Sequence, residues 1–170
     1  MKIIPFIFAS MFLFSCTADS KTEILEFGST LLQERYNTFA QKMNHCDALS
    51  DKTILSEQAI SKLKTIPAEN AIGLAVLSHK ALQRCALYEY SEVLRTLVSL
   101  ESHEELSNNS SLLKDIKRIR PLLVADMSLY IEKDFNEIPK AVKDKLIHID
   151  ELKTPFNLMD AVNRSWGLTP

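Results

Sequence analysis

The side chains able to hold a metal or attack a substrate are few in this chain, and their spacing suits neither task. The four histidines, His45, His79, His103 and His148, form no HxxxH or HExxH pattern, and no CxxC occurs. No helix would therefore present two ligands on one face. His79 falls among apolar residues and reads as a core histidine holding one hydrogen bond. Two Ser-x-x-Lys matches, Ser61 with Lys64 and Ser111 with Lys114, set a hydroxyl and an amine one helical turn apart, as serine–lysine acyl enzymes do. Their SDN and KTG companions are missing, so both pairs are expected to face solvent. Three glycines cannot build a phosphate cradle, and no Walker, GxGxxG or GxSxG run occurs. A glycosidase needs placed carboxylates, and the 22 acidic residues offer no spacing that singles any out. The sequence names no catalytic residue, no metal and no cofactor. The expectation is a non-enzyme.

The one basic cluster is Lys114-Asp115-Ile116-Lys117-Arg118-Ile119-Arg120. It could meet anionic headgroups or an acidic partner. Cations late in a helix also stabilise its dipole while staying solvated, and that is the expected role here, just before Pro121. Over the chain, 20 basic residues face 22 acidic ones, a balance with no pull toward nucleic acid.

Location is more legible than chemistry. Met1-Lys2 is a minimal positive start, and Ile3 to Phe14 is a nearly unbroken apolar run. About a dozen apolar residues are too few for a membrane span, which needs about 20. That length, with one lysine before it and a small residue at its end, is the pattern of a secretory signal peptide. Leu13-Phe14-Ser15-Cys16 resembles the lipobox of bacterial lipoproteins. Leu13, Ser15 and Cys16 fit, while Phe14 is bulkier than the Ala, Ser or Thr usual at its place.

The resemblance implies cleavage between Ser15 and Cys16, diacylglycerol on the Cys16 sulfur and acylation of the new N-terminus. Residues 1–15 are then a removed signal, 16–20 a lipidated tether and 21–170 one helical domain. Two or more acyl chains hold a protein stably in a bilayer. In Gram-negative lipoproteins an Asp after the cysteine retains the product at the inner membrane. Thr17 stands there, which implies the outer membrane with the domain facing the periplasm, or the plasma membrane in a cell with only one. The alternatives are an ordinary secretory peptide and a short N-terminal helix of a cytosolic protein.

Loss of residues 1–15 takes away Lys2 alone among the charges, leaving 19 basic against 22 acidic residues. The remaining 155 of 170 residues suffice for one domain with a proper core. With Cys16 taken by lipid, Cys46 and Cys85 are an even pair in an oxidising compartment, and a disulfide between them is expected.

Leu, Ala, Glu, Lys and Gln are abundant, which favours helices, and no convincing alternating strand occurs. The expected fold is all-α, a bundle or orthogonal array of six or seven helices. A capping box at Ser20–Glu23 would open helix 1, with Ile24, Phe27, Leu31, Phe39, Met43 and Cys46 on its apolar stripe and Leu25, Leu32 and Tyr36 widening it. It would end near His45, with Asp47 to Asp51 as a turn and Ser50 or Asp51 capping helix 2. Pro67 would start a long segment to about Ser102, with Ile72, Val76, His79, Leu82 and Ala86 on its apolar face and a break near Tyr88. Residues 102–111 read as a surface loop. Pro121 would kink or end the next helix, Pro139 would start another, and Thr154-Pro155 would start the last, stopped by Gly167.

The stretch Ala81 to Leu94 resembles the joint of a tetratricopeptide helix pair, but Leu87 replaces the usual glycine-containing turn and no second copy follows at that period. In size, helix content and bridge the chain is similar to the pilotins that escort secretins. The expected role is a membrane-anchored module binding an unidentified protein, and such an adaptor would show an apolar groove for a partner helix. A periplasmic immunity or inhibitor protein would show a charged protruding surface instead. A wall-modifying enzyme would show a deep cleft with a buried Glu or Asp.

Overall fold

Between Thr17 and Lys52 the chain contains no proline and a single glycine, so nothing in it interrupts helical hydrogen bonding. A computed structural model, which describes residues 17–103, 110–124 and 129–168, shows that stretch as one helix of 36 residues, α1 (Thr17–Lys52). Residues 17–20, expected as tether, are thus helical, and the helix starts before the Ser20 capping box. The turn expected at Asp47–Asp51 does not form. Ser50 Oγ donates to the Phe156 carbonyl at 2.7 Å, and the Asp51 carbonyl accepts from Asn157 Nδ2 at 3.0 Å. Neither caps α2 (Glu57–Leu63), which starts at Ser56, whose hydroxyl accepts from the Ala59 amide.

Pro67 leads through a 3₁₀ turn into α3 (Ala71–Cys85). Ala86, at φ −111° and ψ 16°, breaks the helix two residues before Tyr88, and α4 (Leu87–Glu101) follows. The expected loop 102–111 falls partly outside the described residues, and α5 (Ser110–Val124) begins at its end, where the serine pair Ser110-Ser111 marks the expected helix start. Pro121 lies within α5 and ends nothing. The ring removes one amide donor, a loss held to the last turns, three residues before Val124. Next come α6 (Leu129–Glu137) and α7 (Lys140–Ile147), the latter opened by Pro139 as expected. The last helix, α8 (Leu158–Trp166), starts at Asn157 rather than Thr154-Pro155, with the Asn157 side chain accepting from the Asp160 amide. Gly167 ends it in the left-handed region at φ 66°, where a Cβ is unfavourable.

The described residues form eight α-helices and no strand, an all-α architecture built on two apolar cores. One gathers α2, α3, α6, α7 and α8 around Leu63, Leu74, Leu146 and Phe156. The other joins α1, α4 and α5 through Leu32, Val93, Leu97, Ile116 and Leu123. Because α3 and α4 serve different cores, the run from Ala71 to Glu101 links them, and α1 touches both of those helices. The Cys46–Cys85 disulfide joins α1 to the last residue of α3, with Cα atoms 6.1 Å apart. No described helix is long and apolar enough to cross a membrane.

Candidate functional site

Along α1 the expected stripe is covered only in part. Cys46 is buried and Phe39 packs on the core, but near the start of the helix the residues expected to widen the stripe are the covered ones. Leu25 and Leu32 are buried, while Ile24 and Phe27 are 48% and 61% exposed. Apolar residues spaced three and four apart drift about 20° round the axis every seven residues, and over 36 residues the partner helix decides which edge is covered. Here α4 covers the Leu25–Leu32 edge. On α3 Leu74, Leu77 and Ala81 are buried alongside the expected Val76, and Ile72 is exposed.

Two apolar concavities follow. The first, about 240 Å³, lies where α1, the α3–α4 joint and α5 meet, lined by Phe39, Met43, Leu87, Tyr90, Leu122 and Leu123 among others. Leu87 and Leu122 are more than half exposed. Phe39 and Tyr90 stack at a tilt, ring centroids 5.8 Å apart. The disulfide sets this pocket's shape, since Met43 is one turn from Cys46 and Ala86 and Leu87 directly follow Cys85. The second is a groove of about 410 Å³ between α1 and α4, lined by Ile24, Phe27, Leu31, Ser99 and Leu100, with Arg35 and Arg95 also on its wall. Gly28 lets the helices close beneath it, where an added Cβ would stand 2.5 Å from Leu100 Cδ2. Arg35 pairs with the Glu92 carboxylate at 2.9 Å and donates to Thr96 Oγ1. Arg95 pairs with the same carboxylate at 2.7 Å. Its hydrogen bond from Arg95, aided by the charges of Arg35 and Arg95, holds Glu92 below the usual carboxylate range.

The chemistry-bearing residues stay apart. No group of three His, Cys, Asp or Glu able to hold a metal occurs among the described residues. His79 is half-buried and shares a hydrogen bond with Gln83. His148 meets the Asp144 carbonyl and His45 is exposed. Ser61, Lys64, Ser111 and Lys114 all face solvent. Among the described residues the buried polar side chains are Ser78, Thr96 and Ser165, so no carboxylate sits in a closed cleft. In the basic cluster, Arg118 pairs with Asp115 and Arg120 with Glu101. Compared with known protein families, curated proteins and solved structures, the chain matches none. The tetratricopeptide-like stretch does contain a helix joint, at Ala86. Its two helices pack into different cores rather than into one shared repeat. Ser15 and Cys16 lie outside the described residues.

What sequence reasoning missed is the pocket wall. Leu87, in the tetratricopeptide-like stretch, read as part of a helix joint, and Leu122 was not singled out. Two large apolar side chains, Leu87 directly after the helix break and Leu122 directly after Pro121, were the one available signal.

Proposed function

We propose that this chain is a lipoprotein anchored through Cys16, with its helical body facing the periplasm from the outer membrane and binding another protein there, as an adaptor or pilotin-like assembly factor does. The observation that carries the binding role is the apolar pocket between Phe39, Met43, Leu87, Tyr90 and Leu122. It suits the apolar anchor residues of an amphipathic partner helix. Large apolar side chains at a concave, part-exposed site are the usual centre of a protein interface. The alternative role, a charged plug against an incoming effector, has less to support it. The exposed charges Lys133, Arg118 and Lys153 are paired with Glu137, Asp115 and Asp150 on their own elements.

A photo-crosslinking amino acid at Leu87, in cells making the full chain, tests the binding role. A protein adduct abolished by Phe39→Asp is expected, and no adduct from Leu87 or Leu122 would refute it. The anchor is tested separately. Palmitate should label the wild type and not Cys16→Ser, and the variant should be released in soluble form.

A further inference from the structure

The groove between α1 and α4 lies toward the end of α1 that would carry the anchor, and this decides what can reach it. α1 is helical from Thr17, the residue directly after Cys16 in the sequence. At about 1.5 Å per residue, Ile24 stands about 10 Å and Phe27 about 15 Å from Thr17 along the axis. A bilayer's headgroup layer is only about 5–8 Å deep on each side. Upright, α1 would hold both side chains in water beyond the headgroups. Lying down, it lays them against the bilayer.

The residues favour the second posture. Ile24, Phe27, Leu31 and Arg35 share one stripe of α1 by their helical spacing, and Ile24 and Phe27 are 48% and 61% exposed. By the same spacing Glu23 and Glu34 flank the stripe on the Phe27 side, and Glu26 lies round the helix from it. On the groove wall Arg35 and Arg95 share the single carboxylate of Glu92, and the Arg95 side chain, 66% exposed, is open to a lipid phosphate. Aliphatic and aromatic side chains beside cations are the composition of a helix that rests in the headgroup–acyl boundary.

We propose that this face is a phospholipid-contact surface. Ile24, Phe27 and Leu31 enter the boundary region, Arg95 meets phosphate, and α1 lies along the membrane instead of standing as a stalk. The occupant is the bilayer rather than a partner helix, because an anchor at Cys16 keeps this end of α1 at the membrane. The inference rests on the lipidation reading.

The test uses the acylated full chain in vesicles of phosphatidylethanolamine and phosphatidylglycerol. In the Phe27→Trp variant the added indole should emit to the blue of its position in detergent-free buffer and lose most of its emission when the lipid chains are brominated near the headgroup. A Tyr88→Trp variant should change in neither respect, and the native Trp166 signal of the parent sets the baseline. Far-UV circular dichroism matching the parent shows that each variant folds. An unquenched indole in Phe27→Trp overturns the proposal, as does a protein adduct from a photo-crosslinker at Phe27. Palmitate uptake by the same preparations separates the two failures. Labelled protein with an unquenched indole removes the face and leaves the anchor, whereas absent label removes the anchor and this proposal with it.

Discussion

Removing the disulfide by Cys46→Ala with Cys85→Ala should lower stability by an amount that the chain's connectivity sets. The bond spans a sequence separation of 39 residues. In the chain-entropy account, a closed loop of about 40 residues restricts the unfolded ensemble by about 4 kcal/mol at room temperature. Net stabilities of single domains are about 5–15 kcal/mol, so the change takes a large share. Urea unfolding of parent and variant, extrapolated to water, gives the difference. A second quantity distinguishes this cause from lost packing. Freed of its crosslink the unfolded chain exposes more surface, so the urea dependence should steepen. Leu32→Ala, at a site 1% exposed, should cost about 2–5 kcal/mol through its cavity while leaving that slope alone. Amide exchange should also quicken around Ala86, where the bond steadies the α3–α4 joint and the Tyr90 amide bonds the Ala86 carbonyl. A loss under about 1 kcal/mol with an unchanged slope would show that the loop is held closed by packing, and the reasoning would fail.

Three further outcomes follow from single sites. Gly73→Ala would bring a Cβ to 2.8 Å from both Ile138 Cδ1 and Leu146 Cδ1. Overpacking of about 1–3 kcal/mol should outweigh a propensity gain of about 1 kcal/mol, and a higher melting temperature would refute that. Ser165 Oγ is buried without a hydrogen-bond partner, so Ser165→Ala should stabilise the fold by about 1 kcal/mol, and calorimetry showing destabilisation would contradict it. Glu151 accepts from both the amide and the hydroxyl of Ser56, and those bonds lower its pKa. A carboxyl with a folded-state pKa below its unfolded one contributes stability at pH above the unfolded value and loses it as pH falls through the folded value. Stability should therefore drop on acidification below the usual glutamate range, and Glu151→Gln should flatten that part of the profile. An identical profile would refute the assignment.

The helices were legible because their signals are local. Pro67 and Pro139 stand at helix starts and Gly167 at a stop, since ring and left-handed constraints act within one residue. The boundary at Asp47–Asp51 was misread for the converse reason. Its capping residues turn to Phe156 and Asn157, partners more than a hundred residues away. Thr154-Pro155 failed likewise, because Phe156 is drawn wholly into the core and the helix waits for Asn157. Pro121 stayed within α5 because the loss of one hydrogen bond is outweighed by burying Ile119 and Leu123 beside it.

By itself the sequence determined the all-α class, because helix composition is a sum over residues. Three cysteines allow three pairings, and choosing Cys46 with Cys85 rested on the expectation that Cys16 carries lipid, so it was the structure that brought these two together. Which side of α1 is covered, the division into two cores and the apolar pocket at the Ala86 joint were decided only by tertiary structure. A helical period says that an apolar stripe exists. The choice between Leu25 with Leu32 and Ile24 with Phe27 belongs to the helix that packs against it, and α4 reaches α1 only once a chain of more than sixty residues has folded back.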